Sequence, residues 1–169
     1  EIAALTELIG REQNQRTVAR NEPGPASNTI WYVSAGNHWY QINDQRAALQ
    51  EFMPRNITVT AGDTVVWGST GFHAVTFNPV APEPPDLILG NLPDGTEVIV
   101  NNPVTRQPQK PSPIYDPTQF FNSGNLSPNQ PNGTAWTLTF ETPGTFEYYC
   151  SIHLELGMKG TVTVVERES

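Results

Sequence analysis

The sequence has little of what several protein classes require. Its 169 residues include one cysteine, three histidines and two methionines, and the nine lysines and arginines are outnumbered by seventeen aspartates and glutamates. A single cysteine cannot form an intramolecular disulfide, so Cys150 needs another explanation. The net charge of −8 disfavours nucleic acid, whose phosphates attract basic surfaces, and favours a basic protein partner. No apolar run is long enough to span a bilayer.

What is present is typical of an all-β domain. Sixteen prolines and thirteen glycines separate short runs of β-branched and aromatic residues, and nothing repeats as strand-helix-strand units. We therefore predict a β-sandwich with Greek-key connections. The clearest strands are Ile57–Thr60, Thr64–Trp67, Ala135–Phe140, Thr145–Cys150 and Thr161–Val165.

The chain divides unevenly around this domain. Residues 1–28 have helical spacing of Ile2, Leu5, Leu8 and Ile9 and then become a polar linker, so we expect a short helix or tail. This arm would either tether the domain to a membrane or be an ordinary disordered terminus. Residues 29–169 form the domain, in which we expect a helical turn at Gln45–Phe52. A Pro- and Asn-rich insertion at about 78–133 contains one predicted strand, at 97–100.

The chemistry lies between the last two strands. Cys150, His153 and Met158 follow one another with the spacing C-x2-H-x4-M. Thiolate and thioether sulfur favour Cu(I), and imidazole suits both oxidation states of copper. One more imidazole would complete a trigonal site, and His73, at the start of a predicted strand, is the best candidate.

The remaining polar residues have simpler interpretations. We take His38 to be solvated or packed with no copper role, and Met53, beside Phe52 and Pro54, to belong to the core. Three histidines are too few for the oxygen-reducing cluster of a multicopper oxidase. A Cys150/His153 hydrolase would lack an orienting group and an oxyanion loop. Three carboxylates in Pro-rich loops are expected to be solvated: Asp86, Asp94 and Asp116.

Tyr148–His153 and Gly157–Gly160 resemble the copper loop of small blue (type 1) copper proteins, the cupredoxins, in particular plastocyanins and pseudoazurins. The resemblance extends over Phe52–Phe77 and Phe121–Val165, and leaves the N-terminal arm and most of the insertion outside it.

The resemblance implies a cupredoxin fold and one type 1 copper held by His73, Cys150, His153 and Met158. It also places Tyr149 at the family's aromatic electron-entry position. The sequence departs from the family at Ala74, where an asparagine usually follows the first histidine ligand. The backbone N–H of Ala74 could still donate to the sulfur of Cys150, but a side-chain hydrogen bond that braces the cysteine loop would be absent.

The function implied is single-electron transfer between larger redox proteins outside the cytoplasm, in the periplasm or at the cell surface, without enzymatic activity. Phe72 and Leu154 adjoin the histidines, so we expect both imidazoles to open onto an apolar surface that docks a partner with a basic face, for example a cytochrome. Two other interpretations are a copper storage or delivery protein and a domain of a larger membrane redox enzyme.

Overall fold

The computed structural model describes residues 28–42, 45–79, 82–130 and 133–168, without the side chains of residues 37–42 and 45–47. Eleven strands and two short helices lie in these ranges. The predicted N-terminal helix or tail lies outside them. No helix in this part of the chain is long and apolar enough to cross a membrane. The elements are β1 (Ile30–Ile42), β2 (Gln45–Met53), β3 (Asn56–Thr60), β4 (Asp63–Gly68), β5 (Thr76–Phe77), β6 (Leu87–Asn91), β7 (Glu97–Asn101), α1 (Pro103–Arg106), β8 (Phe121–Asn122), β9 (Ala135–Phe140), β10 (Gly144–Tyr149), a 3-10 turn (Leu154–Leu156) and β11 (Lys159–Val165).

Two sheets form the sandwich. One has the strand order β2-β1-β4-β9 and the other the order β3-β11-β10-β5-β8. The chain crosses between the sheets repeatedly, and β1 with β4 and β3 with β11 pair in parallel. The predicted all-β sandwich with Greek-key connections is confirmed.

The core lies between the two sheets and is rich in aromatic side chains. Trp67 of β4 is fully buried and contacts rings from both sheets, among them Phe77, Phe140 and Tyr148. Inward-facing residues alternate with outward-facing ones along β4 and β9, as expected for strands with one buried face. This rigid core supports the loops at both ends of the sandwich.

The predicted helical turn at Gln45–Phe52 is wrong. The segment is strand β2, which pairs antiparallel with β1 from Ile42↔Gln45 to Ser34↔Met53, with two register shifts. Alanine, leucine and glutamine favour helices locally, but pairing with a neighbouring strand outweighs that small preference.

The insertion is more ordered than the sequence indicates. The predicted strand at 97–100 is confirmed as part of β7, but the insertion also contains β6, α1 and β8. β6 and β7 form a hairpin, and β8 joins the second sheet beside β5. This segment is therefore built into the sandwich at β8.

One end of the sandwich is held by a buried carboxylate. Asp63 lies at the turn between β3 and β4 and accepts hydrogen bonds from the backbone N–H groups of Thr29 and Thr60 and from the indole of Trp31. Arg167 forms an ion pair with the same carboxylate at 3.3 Å. Asp63 therefore joins the first and last described segments of the chain at this end.

Candidate metal centre

The loop from Cys150 to Met158, here the copper loop, folds back on itself at the opposite end. The N–H of Cys150 donates to the carbonyl of Met158 at 3.0 Å, and the N–H of His153 donates to the carbonyl of Cys150 at 3.1 Å. A 3-10 turn follows His153 and ends at Gly157, whose φ of 78° is left-handed and suits glycine. These short-range bonds bring the three predicted ligand residues of the loop close together.

His73 comes from a distant part of the chain. Its backbone pairs with Leu126, with the Leu126 N–H donating to the His73 carbonyl at 2.7 Å. Candidate ligand atoms of His73, Cys150 and His153 all lie within 4.8 Å of one another. The two imidazole rings have centroids 4.8 Å apart, and Nδ1 of His153 lies 3.5 Å from Sγ of Cys150. The structure thus brings together three of the residues that the sequence singled out, and the fourth, Met158, lies in the same loop as Cys150 and His153 and is fully buried.

The two imidazoles differ in exposure. His73 is buried, with 2% of its surface exposed, whereas His153 is half-buried. The expectation that both imidazoles open onto the surface is therefore wrong for His73. The reason is that backbone from β1 covers its ring.

That cover is Gly36, a residue that the sequence analysis did not single out. A Cβ added to Gly36 would fall 2.1 Å from Nε2 of His73, so only glycine allows the backbone to lie this close. The carbonyl of Gly36 accepts a hydrogen bond from the Ser34 hydroxyl at 2.9 Å. A glycine inside a strand is a signal that something approaches the backbone closely, but it does not identify His73 as the group that does so.

The sulfur of Cys150 is buried and hydrogen-bonded. The N–H of Ala74 donates to Sγ at 3.3 Å, which confirms the predicted backbone contact. Burial raises the pKa of the thiol, while the backbone N–H groups of Ala74, Ile152 and His153 oppose that change. Without a metal the thiol form is therefore favoured at neutral pH.

The pKa of His153 is lowered, first by burial and then by the nearby guanidinium of Arg106, with Asp86 acting in the opposite direction. A lowered pKa keeps the imidazole neutral, which is the form that binds a metal.

The expectation that Asp86 is a solvated carboxylate is wrong. It forms an ion pair with Arg106 and accepts a hydrogen bond from the Thr105 hydroxyl at 3.2 Å. Asp94 and Asp116 match the expectation. Asp94 is exposed and accepts from the N–H of Thr96, and Asp116 is partly exposed and accepts from Thr118 and Gln119 in the same turn.

The other sequence-predicted residues surround the cluster. Phe72, which precedes His73, is exposed. Leu154 and Leu156, which follow His153, are partly buried and 67% exposed, respectively, so the residues next to both histidines present apolar surface. Tyr149 is buried, and burial raises its pKa to about 12, so the phenol is neutral. Met53 is buried, as predicted. The side chain of His38 lies outside the described part of the chain.

The donor set fits copper. Two imidazoles and one cysteine sulfur converge on a small buried volume, with a methionine in the same loop. Soft sulfur with imidazole suits copper, and carboxylate donors, which suit magnesium or calcium, are absent from the one ligand cluster found among the described residues.

A β-sandwich with this cluster between its closing strands is the arrangement of a mononuclear type 1 copper protein. Residues 40–165 match the family model of copper binding proteins, plastocyanin/azurin family. The match covers more than half of the chain, and the protein belongs to this family, with one type 1 copper as its cofactor.

Curated relatives agree with this assignment. The chain is 29% identical over 151 residues to the chloroplastic plastocyanin of Physcomitrium patens, covering 88% of this chain and 70% of that one. It is 26% identical over 115 residues to a plastocyanin of Scenedesmus fuscus, covering 67% and 85%. Among solved structures, the oxidised plastocyanin of Dryopteris crassirhizoma has a TM-score of 0.45 at 23% identity and covers 79% of this chain and 99% of its own.

Proposed function

We propose that this protein is a single-electron carrier in which His73, Cys150, His153 and Met158 hold the copper. The observation that carries the proposal is the convergence of the two imidazoles and the cysteine sulfur within 4.8 Å in a chain of this family. Bound copper supplies reversible one-electron chemistry to such a site.

The protein's own residues keep the site dry and fixed. His73, Cys150 and Met158 are buried, so water has little access to that side of the cluster. The N–H of Ala74 donates to the sulfur, which stabilises its negative charge as a thiolate and limits its movement. A site that moves little between oxidation states exchanges electrons with a small reorganisation cost.

His153 offers the shortest route to the surface. It is the only member of the ligand cluster that is partly exposed, and Leu154 and Leu156 follow it in the loop. Apolar side chains let a partner approach closely without desolvating paired charges. We propose that electrons pass through this face to larger redox proteins, and that the acidic remainder of the surface steers partners with a basic face, such as a cytochrome.

We also propose that the protein works outside the cytoplasm, in the periplasm or at a cell surface, where the N-terminal arm would serve as a tether. Family membership supports this setting.

Visible absorption of the oxidised, copper-loaded protein tests the ligand set. An intense charge-transfer band is expected, because Cys150 would bind Cu(II) as a thiolate. Cys150→Ser should abolish the band, and His38→Ala should preserve it. Loss of the band in the His38 variant would show that the wrong histidine was assigned.

Electron-transfer kinetics test the function itself. Rapid mixing of the reduced protein with oxidised cytochrome c, a basic model partner, should show fast, salt-sensitive transfer. A storage or delivery protein would instead transfer slowly and give up Cu(I) readily to a chelator. Slow transfer together with rapid Cu(I) loss would refute the carrier proposal.

A further inference from the structure

The helical turn α1 lies at the foot of the β6–β7 hairpin and is tightly held there. Asn102 caps it, with its side-chain oxygen accepting from the N–H of Val104 at 3.0 Å and its side-chain amide donating to the carbonyl of Pro85 at 2.8 Å. The Asp86 carboxylate accepts from the Thr105 hydroxyl and pairs with Arg106. Both strands of the hairpin therefore fix the turn, because Asp86 precedes β6 and Asn102 follows β7.

The same turn contacts the copper loop. The hydroxyl of Ser151 donates to the carbonyl of Thr105 at 3.2 Å, and both residues are buried, at 6% and 1% exposure. Ser151 lies directly after Cys150. This bond joins positions 46 residues apart in the chain and attaches the loop to the insertion.

The turn also contacts the segments beside His73. The side-chain amide of Asn122, in the strand next to β5, donates to the carbonyl of Val104 at 2.8 Å. The guanidinium of Arg106 lies over the ring of Phe72, with 5.4 Å to the ring centroid. One short turn thus contacts the segments that carry both histidines of the cluster.

We propose that α1, locked by Asp86, is a positioning element that sets the spacing between the His73 segment and the copper loop. Ala74 offers no side-chain hydrogen bond across this gap, since its side chain is a methyl group. The buried hydrogen bond from the Ser151 hydroxyl to the Thr105 carbonyl instead connects the copper loop to the insertion. Ser151 and Asp86 act through neighbouring residues, and the proposal rests on the ligand set proposed above.

Hydrogen exchange of the metal-free protein tests the positioning role without copper chemistry. In Ser151→Ala the amide of His153, which donates to Cys150 within the loop, should exchange about three- to tenfold faster, the equivalent of one lost hydrogen bond. Asp86→Ala should have a similar effect, because it removes the ion-pair partner of Arg106 and leaves the Thr105 hydroxyl with only the Asn102 carbonyl as its acceptor. The amide of Val162 in β11 is the internal reference and should not change.

Asp94→Ala is the matched control, since it removes another carboxylate of the insertion, one that accepts a hydrogen bond from the N–H of Thr96 in the hairpin turn. It should leave exchange in the copper loop as in the wild type. In the copper-loaded protein, Ser151→Ala and Asp86→Ala should shift the reduction potential and the visible band positions, and Asp94→Ala should not. Asp86→Asn, which keeps an acceptor for Thr105, should restore part of the wild-type behaviour.

Wild-type exchange in the copper loop of folded Ser151→Ala would overturn the inference. Equal acceleration of all amides, including that of Val162, would also overturn it, because α1 would then contribute only to general stability. If Asp86→Ala does not fold, Ser151→Ala decides the question. A wild-type protein without the charge-transfer band would refute the proposed function, while the exchange data would still decide the role of α1.

Discussion

Gly36 lies against the imidazole of His73 so closely that a single added carbon would overlap the ring. A Cβ built on Gly36 would lie 2.1 Å from Nε2 of His73, which is much closer than van der Waals contact allows. Because His73 is buried and β1 pairs with β2 at Ala35 and Asn37, directly before and after Gly36, neither can move away without disturbing the sheet.

Gly36→Ala should therefore damage the metal centre. We expect destabilisation of about 1–3 kcal/mol from overpacking, and a displaced His73 that weakens or shifts the visible band. Gly95→Ala is the control, since Gly95 also has a positive φ, 88°, but nothing lies within 4 Å of its added Cβ. Equal thermal stability and identical spectra in the two variants would contradict the close contact.

Leu156 should contribute to partner docking. Leu156→Asn exposes a polar amide where an apolar contact is proposed, so electron transfer to cytochrome c should slow about fivefold, as expected for losing roughly 1 kcal/mol of apolar burial. The visible spectrum should not change, because Leu156 is 67% exposed.

Ile30→Asn serves as the control for that change. Ile30 is exposed to a similar degree and pairs with Thr64, beside the turn at the other end of the sandwich. A similar loss of rate in both variants would mean that the effect is not specific to the His153 face.

Asp63 should be important for stability and unimportant for copper. Asp63→Ala leaves the N–H groups of Thr29 and Thr60 and the Trp31 indole without their acceptor, at a cost of about 2–4 kcal/mol. Urea denaturation of the metal-free protein measures this loss. Asp116→Ala, which removes a partly exposed carboxylate that also accepts several hydrogen bonds, should change the midpoint little. Equal midpoints for both variants would show that the buried hydrogen bonds of Asp63 contribute no more to stability than those of Asp116.

Metal binding should release a proton from Cys150. Burial raises the pKa of this thiol, so at pH 8 the metal-free protein holds the proton, and a metal that binds thiolate must displace it. His153 contributes none at that pH, because its pKa is lowered and the ring is already neutral.

Zinc, which undergoes no redox change, is the suitable probe for this release. Titration in weak buffer with a pH indicator should show about one proton per metal bound, and the apparent affinity should rise about tenfold per pH unit below the thiol pKa. Binding without proton release at pH 8 would show that the thiol is already ionised.

The sequence was sufficient to predict the sandwich and the copper loop for a common reason. Alternation along strands such as β9 and β11 reflects burial of one face, and Cys150, His153 and Met158 converge through hydrogen bonds between residues at most eight positions apart. Both signals are local in the chain.

The misjudged features depend on contacts between distant residues. Gln45–Phe52 looked helical because its pairing with β1 is not visible in its composition. Asp86 looked solvated because its partners, Thr105 and Arg106, lie 19 and 20 residues away. The cover of His73 by Gly36 depends on how β1 meets the loop after β4, which no single segment encodes.

The parallel pairing of β3 with β11 has a consequence for the order of assembly. Ile57 pairs with Val162, so the edge strand β3 of the second sheet meets its neighbour β11 only when residues more than a hundred positions apart come together. Chains dominated by such distant pairings fold slowly, on a scale of about milliseconds to seconds, because loop closure must precede the contacts that reward it. The copper loop lies immediately before β11, so its geometry forms only when β11 has been synthesised and has docked on β3 and β10. Copper incorporation should accordingly follow folding, and a truncated or still-growing chain should have no preformed site to compete for the metal.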